Sequence, residues 1–398
     1  MRGSGNRRPR YLRPGLHVLG LVLMVCAGCG GSTASLSPST SPIAAAGPTT
    51  RPTASLGPSP SPAPNTFAYA GQTQAVRLNA TLLDDGRVLM VGGRDVAGSA
   101  VATAELFDPN SGAFATAGSM ESPRLDPATA VLDDGRVLVA GGADASSVAQ
   151  ASAEIYDPST ETFAPTGPMN TARSAAKAFL LQSGAVLVVG GLDSAGAPLA
   201  SAELYDPKSG KFSLTGSMLQ LRGDFGATEL TDGRVLVVGG CCIGPSLYTS
   251  AEIYDPASGV FETAGSMVTA RLRPTVVTLL DGRVLIAGGN GSATADERLS
   301  SAELFDPDTL AFTPTDSLAA ARDDAVATRL TDGRVFLAGG GTRSAETFDP
   351  TTEKFQAAGR MTATRGAAAT ATLLLDGRVF IAGGGAGTDA TSAELFAP

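Results

Sequence analysis

The chain has no tryptophan and one histidine, His17. Beyond residue 28 it has no histidine at all. That removes Ser-His-Asp triads, histidine-based proton transfer and histidine-containing zinc sites. Carboxylate, Tyr, Lys and Arg chemistry is what remains. Cysteine is scarce: past residue 28 there are only Cys29, Cys241 and Cys242. A fold of this length needs no disulfide staple. Positive charge is also in deficit. With the five arginines of the first 13 residues set aside, 24 basic residues face 38 acidic ones, a net charge of about −14. Nucleic acid and anionic membrane surfaces are therefore poor partners.

The one apolar run near the start, residues 16–27, is too short for an ordinary spanning helix. Arg2, Arg7, Arg8, Arg10 and Arg13 precede it, and Cys26-Ala27-Gly28-Cys29 ends it. Residues 1–28 thus read as a targeting segment. The small residues before Cys29 resemble a bacterial lipobox, with Cys26 where an aliphatic residue is usual. Lipidation of Cys29 is expected, with plain cleavage and secretion as the alternative. Arg7-Arg8 followed by Tyr11-Leu12 is a faint match to a twin-arginine signal. Residues 29–64 are Ser, Thr, Pro, Ala and Gly almost throughout. No core can form there, and proline keeps such a tether extended. A folded domain at 65–398 would then stand off the membrane, held by a lipid anchor.

That domain repeats itself at a spacing of about 49 residues. A glycine pair closes an apolar strand at Gly92-Gly93, Gly141-Gly142, Gly190-Gly191, Gly239-Gly240, Gly288-Gly289, Gly339-Gly340 and Gly383-Gly384. The pattern predicts four strands per repeat, the first at 174–181 in the third copy. Asp85-Gly86, Asp134-Gly135, Asp232-Gly233, Asp281-Gly282, Asp332-Gly333 and Asp376-Gly377 suit two-residue hairpins. The continuous apolar second strand should be buried on both faces. One such unit cannot bury its own faces, so the repeats should close into a β-propeller.

Closure can be read from the ends. Glu105, Glu154, Glu203, Glu252, Glu303, Glu346 and Glu394 mark seven third strands. The last stands four residues from the end, leaving no room for a fourth strand. NTFAYAG at 65–71 matches the fourth strands elsewhere, with Phe67 in the place of Phe114 and Phe163. The expected fold is all-β and seven-bladed, with residues 65–71 completing the last blade and leaving no broad open edge.

The glycine pair, the Glu-x-Tyr/Phe-Asp-Pro segment, the later aromatic and the following Met and Arg resemble the kelch family. The resemblance covers 65–398. It departs at the fourth-strand aromatic, which is Phe where kelch repeats usually carry Trp. Kelch propellers include protein-binding adaptors, copper-radical galactose oxidases and sialic-acid mutarotases, so fold does not fix function. A copper site of that kind implies two histidines, which residues 65–398 lack.

The resemblance also implies a ring of guanidinium groups around one mouth of the channel: Arg77, Arg124, Arg173, Arg222, Arg271, Arg322 and Arg365. Arg suits carboxylate or phosphate. The alternative is structural, with each Arg paired to a third-strand Glu between blades. Two residues after each Arg stand Asn79, Asp126, Ala175, Asp224, Arg273, Asp324 and Ala367. A strand period of two would put them on the same face as the Arg. Asp126, Asp224, Asp324 and Arg273 would then form an asymmetric lining suited to a sugar or a charged peptide segment. Three acids in alternate blades would also suit Ca²⁺, but no recognised calcium loop is present. The loops after the glycine pairs should wall the mouth at blades 4 and 5 and leave it open at blade 6. Tyr248 offers a stacking platform there, or packs in its own loop. Cys241-Cys242 could close a strained vicinal disulfide or remain two thiols.

The function expected is that of a membrane-tethered, extracytoplasmic binding protein for a protein segment or glycan, with no cofactor and no metal. A carbohydrate-active enzyme using Arg222 or Arg273 with Asp126, Asp224 or Asp324, and a purely structural envelope protein, are the alternatives.

Overall fold

A computed structural model describes residues 65–398 except 77–78, 242–245 and 295. The expected targeting segment, the tether, Cys29, Arg77 and Cys242 lie outside the described residues. The rest forms seven four-stranded antiparallel sheets. Blade 2 is typical: Ala128–Val131, Val137–Ala140, Ala153–Asp157 and Thr162–Thr166, from the innermost strand outward. The blades form a seven-bladed β-propeller.

The second strands explain the cohesion. Val137–Ala140 is buried at every residue, as are Val186–Val189 and Val235–Val238. Each strand packs on both sides, so seven apolar clusters fill the seven seams. Leu138 and Ile155 of blade 2 meet Val186, Val188 and Tyr205 of blade 3. The last seam sets Val88, Met90 and Phe107 of blade 1 against Phe380, Ala382 and Ala393 of blade 7. Each such buried Val, Leu, Ile, Phe or Met side chain contributes about 1.5–3 kcal/mol, and none can do so without its neighbouring blade.

Closure is as expected. Thr66–Gln72 pairs antiparallel with Ser392–Ala397, with Phe67 opposite Phe396, and forms the outer strand of blade 7. The Phe67 ring lies 5.0 Å from that of Phe396 and 6.3 Å from Phe336 of blade 6, so this strand also grips the neighbouring seam.

The hairpins differ from expectation. Gly86 N–H donates to Leu83 O at 2.9 Å and Leu83 N–H to Arg87 O at 2.9 Å. This is a three-residue loop with only Gly86 at positive φ, 85°, so the two-residue turn is corrected. Asp85 is retained for another reason: its carboxylate accepts from Arg87 N–H at 2.9 Å.

Strand direction alternates within a blade. The loops after the glycine pairs and the connectors into the next blade therefore share one face. The Asp-Gly and Asp-Pro turns share the other. On the loop face, blade 6 needs only the step from Gly339 to Thr342, whereas blade 5 runs from Ala287 to Ala302.

Candidate functional site

The repeated arginines stand in the connectors, and their backbone and side chain face opposite ways. Arg173 O accepts the N–H of Gly142, in the preceding blade, at 2.8 Å. A Cβ on Gly141 would collide with that same carbonyl, which is why the pair must be glycine. The side chain enters the following blade. Nη1 donates to Gly190 O at 2.9 Å and Ser201 O at 2.8 Å, and Nη2 to Ser201 Oγ at 3.0 Å and Glu203 Oε1 at 2.9 Å. Glu203 also accepts the backbone N–H groups of Asn170 and Thr171. Burial would push the Glu203 carboxyl up, but the N–H of Asn170 and the Arg173 guanidinium outweigh it and hold it below its ordinary value.

The same pairing joins Arg124 to Glu154, Arg222 to Glu252, Arg271 to Glu303, Arg322 to Glu346 and Arg365 to Glu394, at 2.7–3.0 Å. All six described arginines are at most 1% exposed. The expected ring of open guanidinium groups is therefore corrected: these side chains are consumed inside the blades. The structural alternative is corrected in one respect. The ion pair joins a connector to the blade it enters, and the link to the preceding blade runs through the backbone.

The positions two residues further on do not share the face of the Arg. Asp126, Ala175, Asp224, Arg273 and Asp324 all have positive φ, from 46° to 55°. In blade 7 this conformation falls on Ala368, φ 72°, instead of Ala367. The chain turns over between the buried Arg and the innermost strand, so period two does not apply. Asp tolerates this conformation, whereas Ala and Arg adopt it at some cost. Asn79 is occupied structurally: its amide exchanges two hydrogen bonds with the Val91 backbone, at 3.0 and 3.1 Å.

Three of the predicted residues do come together. Arg273 on the connector of blade 5 lies 3.3 Å from Asp224 of blade 4 and 2.9 Å from Asp324 of blade 6. Asp323, which sequence reasoning missed, takes the guanidinium most closely, at 2.6 Å. Asn290, from the long loop of blade 5, donates to Asp323 at 3.4 Å. The signal for Asp323 was the Asp323-Asp324 pair, found directly after the connector Arg only in blade 6. Asp126, in the connector into blade 2, accepts the N–H of Ala175 on its backbone oxygen at 3.1 Å, and Lys177 of blade 3 is near enough for its charge to act on Asp324.

Three carboxylates around one guanidinium leave an excess of negative charge. Burial pushes Asp324 up to about 6, with Arg273 opposing and the charges of Asp323 and Asp224 adding to the rise. Burial pulls Arg273 down, but its hydrogen bond to Asp323 and the three carboxylate charges outweigh that and push it up.

Tyr248 neither stands open nor packs only within its loop. Its ring lies over the Arg222 guanidinium, 5.2 Å from centre to Cζ, a cation–π contact. Cys241 is half-buried and exchanges backbone hydrogen bonds with Gly223 at 2.8 and 3.0 Å.

The Kelch motif family matches residues 124–170 and 180–219. Among curated proteins none matches the chain in sequence. A solved structure of similar fold is a fungal alcohol oxidase of the AA5 family in complex with copper, at TM-score 0.68 and 22% identity, over 84% of this chain and 76% of that one. The likeness shows the fold alone. The donor set for such a copper is not here: the only histidine is His17, and among the described residues no three His, Cys, Asp or Glu side chains are grouped to hold a metal ion.

Proposed function

Because the chain is a seven-bladed kelch-repeat propeller, we propose that it is a binding protein that recognises a protein segment or glycan through its loop face. One observation carries this reading. The repeated Arg–Glu pairs are used up in building the ring, yet at blades 4 to 6 the same face gathers Asp224, Arg273, Asp323 and Asp324 beside the long loops of blades 4 and 5. Variable loops on a rigid ring are where recognition concentrates. The lipobox-like start and proline-rich tether support presentation outside the cytoplasm, held to the membrane by Cys29.

The test is a thermal-shift panel of sugars, cell-wall fragments and short peptides on the full chain. A ligand of the folded state raises the melting temperature with concentration. The shift should disappear in Asp224→Ala and persist in Thr351→Ala, on the opposite face. A shift that survives the first change and fails with the second would place recognition elsewhere.

A second reading, a carbohydrate-active enzyme, is favoured by the Asp324 carboxyl near 6, within the range of a general acid at neutral pH. Under that reading Asp324→Asn abolishes turnover while ligand still binds.

A further inference from the structure

The turn face carries a second set of arginines, one after each Asp-Gly. Arg87 of blade 1 holds Asp85 and reaches across the seam to Glu161 at 2.5 Å and Pro158 O at 3.3 Å, both in blade 2. Arg283 repeats this with Glu353 at 2.5 Å and Pro350 O at 3.0 Å in blade 6. Arg234 and Arg378 reach the Pro307 and Pro109 carbonyls of the next blade at 3.4 and 3.0 Å.

Arg136, at the seam of blades 2 and 3, departs from this. It holds Asp134 at 2.7 Å, and among the described residues its side-chain hydrogen bonds go to that residue alone. The place of Glu161 in the next turn is taken by Gly210, at φ 67°, as it is by Gly112 and Gly259 in the turns of blades 1 and 4. A groove of about 400 Å³ lies at this seam, lined by Arg136, Lys208, Thr160, Thr162, Ser209 and Tyr205 among others. Asp157 also lines it, with its carboxylate turned onto Ser159 N–H and Oγ at 2.9 and 2.6 Å.

We propose that this groove binds a sugar bearing a carboxylate, which seats on Arg136 as Glu161 seats on Arg87. The protein's own seams show the pairing chemistry, at Arg87–Glu161 and Arg283–Glu353. Lys208 adds a second cation on the facing wall, and the hydroxyls of Thr160, Thr162 and Ser209 suit a polyhydroxylated body better than an apolar one. The site lies on the face opposite the cluster at Arg273, so it stands or falls separately from the function proposed above.

The experiment is calorimetric titration of the full chain with D-glucuronate, with D-glucose as its neutral match and an acetylated glutamate amide as the peptide-like carboxylate. Glucuronate should bind and glucose should not. Arg136→Ala should weaken glucuronate at least about tenfold. Gly210→Glu should abolish binding, because it supplies the chain's own carboxylate; Glu161 and Glu353 already hold this backbone conformation, at φ 55° and 54°. Arg334→Ala, an arginine held among the described residues only by its own turn's Asp332 and outside the groove, should leave affinity unchanged. No binding at millimolar glucuronate overturns the proposal, as does affinity that both groove variants leave intact. Binding of the glutamate amide without glucuronate overturns the sugar assignment and makes the groove a peptide site.

Discussion

Nε of Arg273 lies 2.9 Å from Oδ2 of Asp324, although the two residues belong to neighbouring blades. Asp324 nevertheless sits higher than an ordinary carboxyl, moved from 3.8 to about 6, because burial and the adjacent carboxylates outweigh the guanidinium. The folded state thus holds this proton more tightly than the unfolded chain. The stability it contributes is complete below about pH 4 and is lost as pH rises through about 6, on the order of 2 kcal/mol in all. Asp324→Asn cannot ionise. Its melting temperature relative to the parent should climb between pH 4 and pH 7, read by calorimetry across that range. A constant difference would mean that Asp324 titrates as an exposed group does.

Removing the cation should show the opposite dependence. In Arg273→Ala, Asp224, Asp323 and Asp324 lose their shared counter-charge. The variant should melt below the parent at pH 7.5 and recover part of the loss at pH 5, where the carboxylates share protons. The sequence alone placed Arg273 in a lining suited to a ligand. The three ion pairs assign Arg273 a part in stability as well.

The buried pairs offer a sharper energetic test. Arg173 and Glu203 are both fully buried, so breaking one partner strands a charge. Arg173→Met or Glu203→Gln should each cost about 3–5 kcal/mol in chemical denaturation. The double variant should cost well under the sum, because it strands neither charge. Arg173→Lys should not rescue, since an ammonium cannot reach two carbonyls and a carboxylate in one plane.

Ring closure rests on the first strand. Phe67→Ala removes the ring that touches Phe396 and Phe336, a loss of about 2–4 kcal/mol. Hydrogen exchange should quicken first in Ser392–Ala397 and in the second strand beside it, Val379–Gly383. Uniform quickening in all blades would show that closure is not localised at this strand.

The architecture was legible because it repeats. Gly141-Gly142, Glu203 and Phe67 each recur at a fixed place, and a repeated residue reports a constraint that every blade shares. Function was harder to read for the same reason. Arg173 recurs because each connector must be docked, not because a ligand needs seven guanidinium groups. The useful residues are those that break the pattern: Arg273 and Asp323 on one face, and on the other Arg136, whose guanidinium stays with its own turn's Asp134. Asp224 and Asp324 were recognised as breaks, but the face they occupy was misjudged, because a left-handed residue ends the strand period before it begins. Arg87 and Arg136 were passed over, since an arginine beside Asp-Gly looks like a solvated turn until the next blade is placed against it.

Under the proposed function, recognition occurs on the loop face at blades 4 to 6. The most direct measurement places a photo-crosslinking residue at Thr294, exposed in the blade 5 loop, or at Thr351, exposed in a turn of blade 6 on the opposite face, and irradiates intact cells. A discrete adduct from position 294, absent from 351 and lost when Asp224→Ala is added, is the predicted result. An adduct from position 351 alone, or one from 294 indifferent to Asp224, would contradict the claim.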